Sequence, residues 1–283
     1  MSGRGDLEAV LAGIGPLAVA VSGGVDSLTL AALAHRVLGM GAEMVHAASP
    51  AVPGEATARV RDLAGREGWR LRVIEAGEFA DPQYRANPAN RCLFCKTNLY
   101  GAMHGVTDRQ IVSGANLNDL GEYRPGLDAA RTHGVRHPYV EAGFDKAAVR
   151  RLSRDLGLGA VADLPSAPCL SSRVETGIRI EPETLAFVHA VERMVSDRLD
   201  AGAGGGFGAG RAVRCRVRAA GVVVELDPAS LAGLDAAARA DLGARIAGLA
   251  PGPVAGLLAA RPVLFAPYRT GSAFLVAGRE GAA

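Results

Sequence analysis

Six consecutive residues, Ser22-Gly23-Gly24-Val25-Asp26-Ser27, place two hydroxyls, two glycines and a carboxylate in one short turn. The apolar run Leu17 to Val21 precedes it, and Ser27, Leu28, Leu30, Ala31 and Leu33 follow at helical spacing, so the stretch reads as strand, turn and helix. Glycines let backbone approach a ligand closely, and the N–H groups that open a helix, at its positive dipole end, make an anion site. That chemistry asks for a phosphate. No GK[ST] follows, and the glycine spacing is not GxGxxG, so neither common nucleotide motif applies.

Four cysteines are the next candidates. Cys92 and Cys95 form a Cys-x-x-Cys, compatible with a redox pair, half a zinc site, part of an iron–sulfur site, or two buried thiols. A thioredoxin-type pair would sit at the first strand-to-helix turn, which Ser22–Ser27 occupies. Cys169 and Cys215 form no second Cys-x-x-Cys, as a four-ligand zinc site would want. Cys169 precedes Leu170-Ser171-Ser172-Arg173, where Arg173 could lower the thiol pKa or pair with a phosphate; a structural loop cysteine is the alternative. In Arg214-Cys215-Arg216-Val217-Arg218, strand alternation puts the three arginines on one face and Cys215 on the other, where it packs. Three like charges repel unless compensated, so that face reads as an anion site rather than a solvated one. The histidines, His35, His46, His104, His133, His137 and His189, are expected to be structural or exposed, and no general base stands out.

These groups need elements to position them. Leu7 to Leu11 reads as a leading helix, Glu43 to Ala48 as a second strand, Glu55 to Gly68 as a helix and Arg70 to Ile74 as a third strand. This β-α alternation argues for a doubly wound, mostly parallel α/β sheet. Asp81 to Asn90 reads as a loop, Arg91 to Met103 as a helix, Gln110 to Ser113 as a strand, Asp119 to Ala130 as a loop and Lys146 to Leu156 as a helix. A first domain over 1–160 and a smaller α+β domain over 161–283 follow. The latter begins with a loop and an amphipathic helix, Glu181 to Leu199. A flexible connector, Gly202 to Gly210, leads to a hairpin of Ala212 to Ala219 with Gly221 to Leu226. A helix over Leu231 to Leu249 and strands over Arg261 to Ala266 and Ala273 to Ala277 complete it.

Composition narrows the class. A formal net charge of +2 gives no global case for nucleic acid, and 21% charged with 49% hydrophobic residues reads as soluble and globular. No stretch approaches the ~18 apolar residues of a membrane helix, and the N-terminus does not resemble a secretory signal. A cytoplasmic enzyme with reduced thiols is expected.

The Ser-Gly-Gly-x-Asp-Ser turn resembles the loop of the N-type ATP pyrophosphatases, which split ATP to AMP and pyrophosphate. Beyond it, RCLFCK, SGANLNDLGEYRPG, AAVRRLSRDLGL, PSAPCLSSR, ETLAFVHAVERMV, CRVRAAGVVVEL and PYRTGS follow one another as in the LarE family. That family comprises the ATP-dependent sulfur transferases of nickel-pincer nucleotide synthesis. The resemblance implies that ATP and Mg²⁺ adenylate a carboxylate of a pyridinium mononucleotide, and that a sulfide or other sulfur donor displaces AMP. It places Ser22, Gly23, Gly24, Val25, Asp26 and Ser27 in the pyrophosphate loop and Gly114, Asn116 and Asp119 in a second nucleotide segment, with Arg124 added to the binding set. Asn118 stands where the family often carries Asp. Arg173, Arg216 and Arg218 fall near substrate phosphate, and Asp26 and Glu192 near Mg²⁺. Some members sacrifice the sulfur of the cysteine matching Cys169. Others resemble enzymes in which three cysteines, here Cys92, Cys95 and Cys169, hold a 4Fe-4S cluster that carries sulfide, and this chain has all three. A homo-oligomer is also implied. The alternatives are a tRNA thiolation enzyme, a sulfur transferase acting on another carboxylate, and a nucleotide-binding module without catalysis.

Overall fold

The computed structural model describes residues 3–121, 125–165, 168–201 and 212–269. Its contacts divide the chain into two compact units, the first of residues 1–81 and 90–167, the second of residues 82–89 and 168–283. Among the described residues no helix is long and apolar enough to cross a membrane.

The first unit is a parallel sheet wrapped on both faces. Its strands are β1 (Leu17–Ala20), β2 (Ala42–Ala47), β3 (Arg70–Ile74) and β4 (Gln110–Ser113), in the order β3-β2-β1-β4. Around them run α1 (Arg4–Ile14), α2 (Val25–Leu38), α3 (Gly54–Glu67), α5 (Arg91–His104), α6 (Leu117–Leu120), α7 (Pro125–Thr132), α8 (Pro138–Glu141) and α9 (Lys146–Asp155); α4 (Pro82–Arg85) lies in the second unit. Side chains alternate across β1 as a pleated strand requires. Leu17 and Val19 join the core under α1, α2 and α9, whereas Ala18 joins Tyr100, Met103, Ala129 and Ala130 beneath α5 and α7. Both faces being covered, LAVA is apolar throughout.

Sheet order also locates the site. β1 pairs with β2 on one side (Ala20↔Val45) and with β4 on the other (Ala20↔Ser113). The chain therefore reverses its direction of winding at β1, and the crevice beyond the carboxyl ends of β1 and β4 is the switch point where such sheets take ligands.

One expected loop is largely helical. Within Asp119 to Ala130, α7 begins at Pro125, whose missing N–H costs nothing in the first turn of a helix. A Cβ on Gly126 would come 3.1 Å from Lys96 Cγ, so the glycine permits α7 to pack closely on α5.

In the second unit, α10 (Pro182–Ala201) buries Leu185, Val188, Val191 and Val195 as its spacing demands. β5 (Val213–Arg218) and β6 (Gly221–Leu226) form the antiparallel hairpin, and β7 (Leu264–Pro267) adds to β6 in parallel. The single helix expected over Leu231 to Leu249 is two, α11 (Pro228–Ala232) and α12 (Ala236–Leu249). Asp235 is an N-cap, not a helical residue: its side chain accepts from Ala238 N. A further helix, α13 (Gly252–Ala260), precedes β7, which starts later than expected. The Gly202–Gly210 connector, the Ala273–Ala277 strand, Thr270-Gly271-Ser272 and Arg124 lie outside the described residues.

Candidate active site

The turn after β1 is built as its residues demand. Gly23 has φ +83°, and a Cβ there would lie 2.7 Å from the Ala56 carbonyl oxygen, so only glycine fits. Ser27 Oγ accepts from Ser22 N (3.0 Å), lies 3.1 Å from Ser22 Oγ and donates to Gly24 O (3.2 Å), tying the two serines across the turn. Gly24 caps α2 without a side-chain hydrogen bond, and Val25 and Asp26 open the helix. The first N–H groups of α2 thus keep the anion-binding character of an open helix end.

The segment after β4 closes on this turn. A Cβ on Gly114 would sit 3.0 Å from Asp26 C and Ser27 N, so glycine allows the backbones to touch. Buried Asn116 donates from Nδ2 to Asp26 Oδ1 (3.4 Å), and its own N–H goes to Asp119 Oδ2 (2.9 Å). Asn118 accepts from Lys146 N (2.8 Å). Tyr139 donates its hydroxyl to Asp26 O (3.1 Å). Burial, with the Asp26 charge beside it, pushes the Tyr139 pKa well up and keeps it a donor. Ser22, Gly23, Gly24, Val25, Asp26, Ser27, Gly114, Asn116 and Asp119 therefore form one constellation.

In the second unit Cys169 is exposed and caps a 3-10 turn over residues 170–173. Arg173 is buried beneath it. Its guanidinium meets both Glu192 oxygens (2.9 and 3.1 Å), the carbonyls of Pro168 (2.7 Å) and Cys169 (3.3 Å), and Ser172 Oγ (2.9 Å). Arg173 thus fixes the loop that carries the thiol. Glu192, expected near metal, is bidentate to Arg173 and accepts from Cys215 N (3.0 Å). Tyr84 supports the same turn, its hydroxyl 2.6 Å from Ser171 Oγ.

Across the hairpin, Glu225 bonds Arg216 Nε (3.0 Å) and Arg218 Nη2 (2.7 Å), and Arg216 also donates to Ser172 O (2.9 Å). The negative charge that the arginine face requires is supplied in the fold by this buried carboxylate. Arg214 lies over the Tyr268 ring, 5.8 Å from its centroid. Cys215 is fully buried; burial and then Glu192 push its thiol well above its ordinary pKa, against the pull of Arg173 and Arg216.

Cys92 and Cys95 lie half-buried in the opening turn of α5 of the first unit. Residues three apart share a helix face, so the two thiols can serve one soft metal centre.

Two participants escaped the sequence reading: Lys146 Nζ pairs with Asp26 Oδ2 at 2.5 Å, and Arg59 holds the Gly23 carbonyl (2.7 Å). His46, expected to be structural or exposed, is buried and holds the Val21 carbonyl (2.8 Å). Lys96 and Lys146 are the only lysines in a chain that otherwise uses arginine, which is the signal Lys146 carried.

No family model matches the chain. It is 38% identical over 178 residues to the uncharacterised protein slr1717 of Synechocystis, covering 62% of this chain and 66% of that one. It is 23% identical over 181 residues to the uncharacterised protein MJ0830 of Methanocaldococcus jannaschii, covering 62% and 68%. The chain thus spans about two thirds of these relatives' length. Against the pyridinium-3,5-bisthiocarboxylic acid mononucleotide synthase of Lactiplantibacillus plantarum it is 28% identical over 195 residues, covering 67% and 70%. The chain is a relative of that synthase, and the resemblance to the LarE family read from its motifs is borne out.

Proposed function

We propose that this chain is an ATP-dependent sulfur transferase that converts a carboxylate of a pyridinium mononucleotide to a thiocarboxylate. The observation that carries the reading is the turn Ser22–Ser27, with its uncapped helix end, its obligatory glycine and Gly114 closing on it. The name of the Lactiplantibacillus relative, a pyridinium-3,5-bisthiocarboxylic acid mononucleotide synthase, supplies the substrate class.

The chemistry runs in two displacements. A substrate carboxylate oxygen attacks the α-phosphorus of ATP, the bond to the β-phosphate oxygen breaks, and pyrophosphate leaves. A sulfur nucleophile then attacks the acyl carbon and AMP departs with the carbonyl–phosphate oxygen, leaving the thiocarboxylate. Both steps need positioning and charge neutralisation more than covalent help from the protein. The Ser22 and Ser27 hydroxyls and the first N–H groups of α2 take the pyrophosphate end. Asp26 would hold Mg²⁺, which when bound would supply neutralisation of phosphate charge. Arg173, Arg216 and Arg218, which the fold pairs with Glu192 and Glu225, would meet a substrate phosphate only in exchange for those carboxylates.

Cys92, Cys95 and Cys169 are the thiolates that would hold a 4Fe-4S cluster, and such a donor set suits one. When bound, it supplies an iron without a protein ligand, able to carry sulfide. The test is ATP-dependent pyrophosphate release by anaerobically purified protein, with iron and acid-labile sulfide counted. About four irons per chain, lost in each Cys→Ala variant, is expected. An iron-free protein losing one H₂S from Cys169 per turnover would mean sacrificial sulfur transfer instead.

A further inference from the structure

The phosphate loop is held from behind by residues that the reading above leaves without a role. His46, on β2, is fully buried, with Nδ1 2.8 Å from the Val21 carbonyl and Nε2 2.9 Å from Thr57 Oγ1. A carbonyl only accepts, so Nδ1 carries the proton. Burial favours the neutral ring, so Nε2 accepts the Thr57 hydroxyl proton. Two residues beyond Thr57, Arg59 Nη1 donates to the Gly23 carbonyl at 2.7 Å. Both Thr57 and Arg59 lie on α3, whose first turn also brings the Ala56 carbonyl against Gly23.

A trans peptide is planar, and its C=O and N–H point in opposite directions. Fixing the Val21 carbonyl therefore fixes the Ser22 N–H, and fixing the Gly23 carbonyl fixes the Gly24 N–H. The Ser22 N–H is turned to Ser27 Oγ (3.0 Å) and the Gly24 N–H towards Ser22 Oγ (3.5 Å), the two hydroxyls of the proposed phosphate site. Neither His46 nor Arg59 needs to touch a ligand to set these directions.

We propose that His46, locked by Thr57, and Arg59 are positioning residues that, through the Ser22 and Gly24 amides, orient the Ser22 and Ser27 hydroxyls towards the β- and γ-phosphates of ATP. The inference rests on the reading of Ser22–Ser27 as the pyrophosphate site. Phosphates carry their charge before and during reaction, so the aim of the loop governs binding, and AMP, which lacks the terminal phosphates, is insensitive to it.

The experiment is calorimetric titration of the full chain with Mg-ATP, pyrophosphate and AMP. Arg59→Ala and His46→Leu are expected to weaken ATP and pyrophosphate about tenfold or more and AMP less than about threefold. Arg59→Lys and His46→Asn, which keep a donor for each carbonyl, are expected to recover most of the loss. Equal weakening of all three ligands, or no rescue by the conservative variants, would make the residues merely structural. Wild-type binding in Arg59→Ala and His46→Leu would overturn the inference alone. A wild-type chain that binds neither ATP nor pyrophosphate would overturn the ATP reading, and the inference with it.

Discussion

Lys146 Nζ stands 2.5 Å from Asp26 Oδ2, so the carboxylate proposed for Mg²⁺ is already paired with an ammonium. The two side chains are 35% and 27% exposed, so solvent screening limits the pair to about 0–1 kcal/mol of stability. If Asp26 takes Mg²⁺ as proposed, the ion would compete with Lys146 for the carboxylate, and the displaced ammonium would be available to phosphate oxygens. Lys146→Met is expected to lower the Mg²⁺ concentration giving half-maximal pyrophosphate release, and to slow that release on the order of 10²-fold. A magnesium titration at saturating ATP checks both; unchanged values would leave the pair without a role.

Gly23 is the strictest steric requirement of the loop. Alanine there would combine φ +83° with a Cβ 2.7 Å from a backbone oxygen of α3, a neighbour that cannot swing aside as a side chain can. Gly23→Ala is expected to cost roughly 1–3 kcal/mol in chemical denaturation and to abolish measurable ATP binding. Gly24→Ala is the control. Its Cβ would meet nothing nearer than Ser22 Oγ at 3.6 Å, and stability close to wild type is expected.

What could be read from the sequence was local. Leu17–Val21, Glu43–Ala48 and Gln110–Ser113 declared themselves as buried strands because both sheet faces are covered, and α10 declared itself by its apolar spacing. Proline and glycine concealed helices: Pro125-Gly126 opens α7, and Gly252 with Pro253 opens α13. Asp235 reads as helical in a continuous pattern, yet its side chain serves better as a cap between α11 and α12. Glu225 sits in the apolar strand Val222-Val223-Val224-Glu225-Leu226, and only the register Arg214↔Glu225 shows that it lies on the arginine face. Sequence alone does not reveal the partners of Lys146 and Arg59, which lie 120 and 36 residues away.

The Arg216–Glu225 pair is buried, with side-chain exposures of 7% and 5%. Glu225→Ala leaves Arg216 charged and without this partner in a low-dielectric surrounding. Removing one member of such a pair typically costs about 3–5 kcal/mol, and urea denaturation is expected to fall in that range. A loss below about 1 kcal/mol would mean that water or the remaining hydrogen bonds replace the carboxylate.

Acid is expected to loosen the first unit through two histidines. Burial holds the His46 pKa below its ordinary 6.5, opposed by the bond to Val21 O and assisted by Arg61. Burial likewise lowers His137, whose Nδ1 lies 2.9 Å from Ser113 Oγ, against the raising influence of Glu141 and Asp119. Between the lowered value and about 6.5 the unfolded chain binds more protons, so stability falls as pH drops through that window and levels above it. Melting temperatures from pH 8 to pH 5 should show this decline, and His46→Asn should flatten part of it.

The four cysteines should separate by reactivity. Cys169 is exposed, Cys92 and Cys95 are half-buried, and Cys215 is buried with its pKa pushed well up. Alkylation requires both thiolate and access, so iodoacetamide on reduced, metal-free protein is expected to label Cys169 first and Cys215 only after denaturation. Anaerobic reconstitution with iron and sulfide then tests the proposed donor set without any turnover. Protection of Cys92, Cys95 and Cys169 together, with Cys215 unchanged, is expected if the three thiolates hold the cluster. Persistent labelling of Cys169, with protection confined to Cys92 and Cys95, would remove it from the donor set and leave it as the candidate sulfur donor.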